Sequence, residues 1–170
     1  TLIKNRINHG GCGGFNTGLA YVGQFLDPAE RPLDYVWLVD DDVDLPDGAL
    51  AQLTQTGESD PSIGVVGSRT VDFDDRKTTI ETTIYFDFAN GWMGPEPAPD
   101  HPLYESHREW VATTGGTRGD RPFKSVRDVD VVSACSMLAR WSGVKKVGLW
   151  DHRYFIYCDD ADWCLRFARA

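Results

Sequence analysis

Two acidic clusters and one run of glycines are the residues in this chain best suited to chemistry. Asp40, Asp41 and Asp42 follow the apolar run YVWLV without a break. Asp159 and Asp160 follow YFIYC. Residues 9–18, HGGCGGFNTG, hold five glycines in ten. Along an extended backbone, side chains alternate, so Asp40 and Asp42 point one way and Asp41 another. Two carboxylates aimed at one spot repel unless a cation sits between them. A hard divalent ion such as Mg²⁺ or Mn²⁺ takes one or two carboxylates and completes its shell with phosphate oxygens. A solvated acidic turn entering a helix, whose positive end favours Asp, accounts for the same residues without a metal. At the second cluster, one Asp can cap a helix. The other can face a cleft as a general base, provided it reaches the proton it removes. Asp162, one step inside, suits the helix dipole.

The elements that must position these groups read as α/β. YVWLV is a β-branched and aromatic run, expected to form a strand buried on both faces. LPDGALAQLTQ starts a helix, with Pro46 and Asp47 suited to its first turn. SIGVVGSR and VRDVDVVSACSMLARW read as further strands, and TTIETTIYFDF as a strand or part of a hairpin. SGVKKVGLW reads as a short helix and turn, and YFIYCDDADWCLRFARA as a strand end feeding a helix. The glycine run is expected as a turn between a strand end (TLIKNRIN) and a helix (LAYVGQFL), allowing close approach to a ligand. Alternating strands and helices favour a mostly parallel central sheet flanked by helices, with ligands outside the strand carboxyl ends. Residues 90–127 are rich in Gly and Pro and read as long irregular segments. The Arg-Gly-Asp at 118–120 reads as chance. The 170 residues form one domain, and its abrupt ends read as those of a segment of a longer chain.

Bulk properties exclude some classes. A net charge of −9 lacks the positive footprint that nucleic-acid binding needs. It leaves room for a small phosphorylated ligand neutralised by a metal. The four cysteines have no metal-ligand spacing and read as free thiols in a reducing compartment. No apolar run approaches the ~20 residues of a membrane span.

Three blocks together resemble family 2 glycosyltransferases of the GT-A fold. NHGGCGGFNTGL is similar to the family's N-x-G…N-x-G segment, through Asn8, Gly10, Asn16 and Gly18. VWLVDDDVDLPDGAL is similar to the strand that ends in the D-x-D motif, here Asp40-Asp41-Asp42. Residues 129–166, from VDVVSACSMLARW to CDDADWCLR, are similar to the segment that ends in the E/D-D-x-D motif. The doubled glycines and the DDD triplet most resemble bacterial galactofuranosyl- and rhamnosyltransferase-like members. The resemblance implies an inverting, metal-assisted transfer from a nucleotide-diphospho-sugar, with UDP- or dTDP-sugars favoured, to a glycan or lipid-linked saccharide. Such reactions serve polysaccharide or cell-wall assembly. Asp42 and Asp40 would hold Mn²⁺ or Mg²⁺. Asn8, Gly10, Gly11, Asn16, Asp40 and Asp41 would line the donor, and Asp160, with Asp159 beside it, would act as the base. A cytoplasmic site is implied, with possible peripheral membrane association of the full-length protein. The family's opening nucleotide-binding strand and its downstream metal-ligand His have no counterpart here, so these residues alone are expected to bind donor poorly.

Two other readings share these residues. A metal-dependent nucleotidyltransferase also uses acidic pairs at sheet edges, but no Lys or Arg follows the glycines to cradle phosphate. A non-catalytic carbohydrate- or metal-binding module is the third. Trp141, Trp150 and Trp163 favour core packing, whereas Trp92, in a Gly-Pro loop, suits either core packing or sugar stacking. His101, His107 and His152 read as structural or exposed. His9 could reach a phosphate. Arg166 and Arg169 suit pairing with nearby carboxylates.

Overall fold

A computed structural model of the chain describes residues 1–27, 32–81, 84–114 and 126–170. Its class is mixed α/β. Strand β1 (Tyr35–Val39) leads through helix α2 (Ala49–Ser59) to β2 (Val65–Gly67), and β7 (Ser136–Arg140) lies between the two strands. Both flank β7 in antiparallel register, Tyr35 opposite Arg140 and Val65 opposite Ala139. β1 and β2 therefore run in the same direction, two strand positions apart. The mostly parallel sheet expected from sequence is not formed by the described strands, because the late strand β7 occupies the gap that the β1–α2–β2 crossover leaves.

Two small hairpins follow β2. β3 (Thr70–Val71) pairs with β4 (Thr79–Glu81), and β5 (Tyr85–Asp87) pairs with β6 (Trp92–Gly94). TTIETTIYFDF, expected as a strand or part of a hairpin, thus contributes one strand to each of the two hairpins. Helix α3 (Tyr104–Thr114) arises inside the segment read as irregular and buries His107 and Trp110, three residues apart. The Arg-Gly-Asp at 118–120 lies outside the described residues.

The core gathers around β7. Leu38, Met137, Leu138 and Ala139 are buried in the sheet, with Trp141 and Val144 from α4 (Trp141–Val147) against them. Trp150 stacks on Trp163 at 5.0 Å, and the Trp163 Nε1–H donates to the Gly148 carbonyl at 2.9 Å. These three tryptophans pack in the core, as their sequence context implied. β1 is less enclosed than expected, since only Leu38 is fully buried. Arg140 ties the far end together by donating to the carbonyls of Ile63 and Gly57 while lying over the Tyr35 ring.

A second buried network is polar. Arg127 donates to the Tyr85 hydroxyl and its guanidinium lies 3.8 Å over the Trp110 ring. The Tyr85 hydroxyl also shares a hydrogen bond with His107 Nδ1, 3.0 Å away. Burial and the Arg127 charge hold His107 below its ordinary value, against a smaller opposing effect of Glu96. Because the folded-state value is depressed, the unfolded chain takes up this proton first as pH falls. Stability is therefore full above the ordinary imidazole range near 6.5 and is lost as pH falls through the folded value. Thermal melts from pH 7.5 to 5 are expected to show this loss, and His107→Gln to flatten that part of the profile. Parallel profiles for the two proteins would refute the attribution to His107.

Candidate active site

Three segments meet at one end of the sheet. The first is helix α1 (Gly10–Tyr21), which continues as a π-helical turn to Leu26. The glycine run is therefore helix, not turn, and TLIKNRIN forms no strand. Five glycines at ~1 kcal/mol each against Ala make this a poor helix by propensity, so tertiary packing of the buried Cys12 and Leu19 must hold it.

That packing is against residues 150–158. Asn16 grips the Trp150 backbone from both sides. Its Nδ2 donates to the carbonyl at 2.9 Å and its Oδ1 accepts the amide at 2.8 Å. The Cys12 thiol donates to the Asp151 carbonyl at 3.2 Å. Gly10 sits at φ +72°, where a β-carbon would fall 1.9 Å from the Phe155 carbonyl oxygen. Asn8 Oδ1 accepts the Gly10 amide at 2.8 Å and shapes the entry to the helix. Gly11 has open space around its α-carbon. Of the four residues in this segment expected to line a donor, Asn8 and Gly11 lie at the surface, whereas Gly10 and Asn16 bind the two segments together. Nothing in the local sequence marks Asn16 as a clamp, since its partner is 134 residues away.

The second segment is the end of β1. The ladder extends one step, through the Asp40 amide to the Cys135 carbonyl at 3.2 Å, and Asp41 and Asp42 then turn away from the strand. The expected strict alternation over 40–42 is thus broken by a turn. The electrostatics nonetheless couple Asp40 to Asp42 more strongly than to Asp41. Partial desolvation, then Asp42, Asp41 and Asp159 in that order, raise the Asp40 carboxyl above its ordinary value. Hydroxyls underlie this corner, with Ser136 Oγ accepting from Trp37 Nε1 at 3.1 Å and sharing a 2.7 Å bond with Ser68 Oγ.

The third is the start of α5 (Asp159–Ala168). The expected strand before it is absent. Residues 154–158 form turns instead, and Tyr157 and Cys158 adopt left-handed φ values of 68° and 61°. Cys158 holds the N-cap position, so neither Asp is the cap. Asp159 is 9% exposed and its charge is felt at both Asp40 and Cys12. Asp160 is half-buried, and its Oδ1 accepts the Ala161 amide at 2.8 Å. Asp162 pairs with Arg166, which also donates to the Val147 and Leu149 carbonyls. The Arg153 hydrogen bonds hold the Asp151 carboxyl well below the usual range.

The glycine-rich helix and both acidic clusters thus share one electrostatic neighbourhood. Among the described residues, no three His, Cys, Asp or Glu side chains gather as a complete metal site. Asp40 and Asp42 offer two hard oxygen donors, a set that suits Mg²⁺ or Mn²⁺ completed by ligand phosphates. All four cysteines are free thiols, and burial pushes Cys164 up to about 12. No helix among the described residues is long and apolar enough to cross a membrane. Compared with known proteins, the chain matches no family model and no curated protein sequence.

Proposed function

We propose that this chain carries the metal and base side of an inverting glycosyltransferase with GT-A architecture. It would move a sugar from a nucleotide-diphospho-sugar to a saccharide acceptor. The observation that carries the reading is the convergence of Asp40, Asp42 and Asp159 beside the glycine-rich helix. Three segments chosen for their resemblance to one family come together around a single negative corner. Co-directional β1 and β2, with α2 between them and aspartates at the carboxyl end of β1, are in keeping with that architecture.

The chemistry assigns each group one task. Asp160 accepts the proton of an acceptor hydroxyl. The oxygen bonds to the anomeric carbon from the face opposite the diphosphate. The bond from that carbon to the phosphate oxygen breaks, the nucleoside diphosphate leaves with the electron pair, and the configuration inverts. Asp42 and Asp40 would hold a divalent cation whose charge offsets that of the leaving diphosphate. Asp159, buried at the start of α5 and felt electrostatically at Asp40, keeps the corner negative. Asn8 and Gly11 leave the helix start open to the donor.

The test is turnover by the full-length protein on UDP- and dTDP-sugars, with and without Mn²⁺. Metal-dependent release of nucleoside diphosphate is expected. Asp40→Asn combined with Asp42→Asn should lower it by about 10²-fold or more, the scale expected when charge stabilisation of a leaving group is removed. Pyrophosphate as the product would move the assignment to nucleotidyl transfer, and no turnover with intact metal binding would leave a binding module.

A further inference from the structure

A cavity of about 330 Å³ opens beside the β5–β6 hairpin, lined by Tyr85, Asp87, Trp92, Glu96, Pro97 and Ala98. Its size falls at the lower end of small-ligand sites. Trp92 is 57% exposed, yet its ring is seated. A β-carbon on Gly94 would fall 1.8 Å from the indole, so the ring lies directly on the Gly94 backbone. The Trp92 amide also donates to Asn90 Oδ1 at 2.8 Å. The result is an aromatic face fixed at a cavity wall, where an unanchored exposed Trp would turn freely.

The polar wall is acidic. Asp87 is held by the Ala89 amide at 2.8 Å and by Asn90 Nδ2 at 2.7 Å, and each of its oxygens retains a lone pair for a further donor. Glu96 lies close enough to the buried His107 to be felt there. Among the described lining residues there is neither Lys nor Arg. The Asp87 and Glu96 carboxylates accept hydrogen bonds from hydroxyl groups and disfavour a carboxylate beside them, while the nearby Arg127 charge is engaged by the Tyr85 hydroxyl and the Trp110 ring.

We propose that this cavity binds an uncharged saccharide, Trp92 covering one face of a sugar ring while Asp87 and Glu96 accept hydrogen bonds from its hydroxyls. A role as the acceptor's holding site rests on the transferase reading, whereas the binding itself does not.

The experiment is saturation-transfer NMR on the full-length protein without donor, using methyl α-mannoside, methyl β-galactoside and methyl β-glucuronide. Saturation is expected at a neutral glycoside and not at the glucuronide. Trp92→Ala should weaken binding by about tenfold or more, Glu96→Gln by about threefold, and Trp92→Phe should retain most of it, in line with the loss of a stacking face or a single hydrogen bond. If Trp92→Ala fails to fold, Glu96→Gln and Trp92→Phe decide. No saturation at either neutral glycoside, equal binding of the glucuronide, or unaltered binding in both Trp92→Ala and Glu96→Gln overturns the proposal. Donor hydrolysis by the unaltered protein tests the transferase reading separately, and either can fail without the other.

Discussion

Asp160→Asn is expected to lower the rate of sugar transfer by about 10²–10⁴-fold, the usual contribution of a positioned general base. The substitution preserves shape and leaves an amide oxygen to accept the Ala161 N–H, the bond that orients Asp160 at 2.8 Å. Fold and donor affinity should therefore be unaltered, and the loss should fall on kcat. Asp159 is the competitor for the role. It is nearly buried and its charge acts on Asp40 and Cys12, which suits it to shaping the field more than to meeting an acceptor hydroxyl. Asp159→Asn should accordingly cost less in kcat. Unaltered transfer in Asp160→Asn, or a larger loss in Asp159→Asn, would assign the base to Asp159 or remove it from this pair.

The second large effect is on stability. Gly10→Ala should destabilise the protein by roughly 3 kcal/mol or more. A left-handed backbone costs an L-residue about 1–2 kcal/mol, and the new methyl would lie 1.9 Å from the Phe155 carbonyl oxygen, so the two segments must part. For a domain of this size the melting temperature should fall by about 6–12 °C. Gly11→Ala is the control. Nothing lies near its α-carbon, and Ala is the better helix former by about 1 kcal/mol. It should hold or raise the melting temperature, yet raise the donor KM if the open helix start admits the donor. A thermal melt of both variants decides the first point and donor kinetics the second. Equal melting temperatures would mean that the contact with Phe155 does not hold the segments together.

Strand β1, the aspartates at its end, α2, β2, β7, α4 and α5 were legible because each is announced locally, by a β-branched run or a helix start with its own turn residues. The remainder depends on distant partners. Five glycines read as a turn because propensity sees only neighbours, while Cys12 and Asn16 find theirs more than a hundred residues on. Helix α3 was hidden by its Gly- and Pro-rich flanks, its apolar spacing being only His107 and Trp110. YFIYC looks like a strand by composition, yet Tyr157 and Cys158 turn left-handed to bring Asp159 inward, a conformation that no propensity for those residues signals. The order of strands escaped for a similar reason. Nothing near β1 or β2 announces that β7 will enter between them.

The clamp between Asn16 and Trp150 also bears on how the protein is made. A glycine-rich helix of twelve residues is too short and too weak to persist in water without a partner. Its partner emerges from the ribosome more than 130 residues later, and closing so long a loop is slow compared with forming local contacts. Residues 10–21 therefore leave synthesis unstructured and become helical only after the segment bearing Asp159 and Asp160 has docked. The corner beside this helix is therefore expected to form only after that docking.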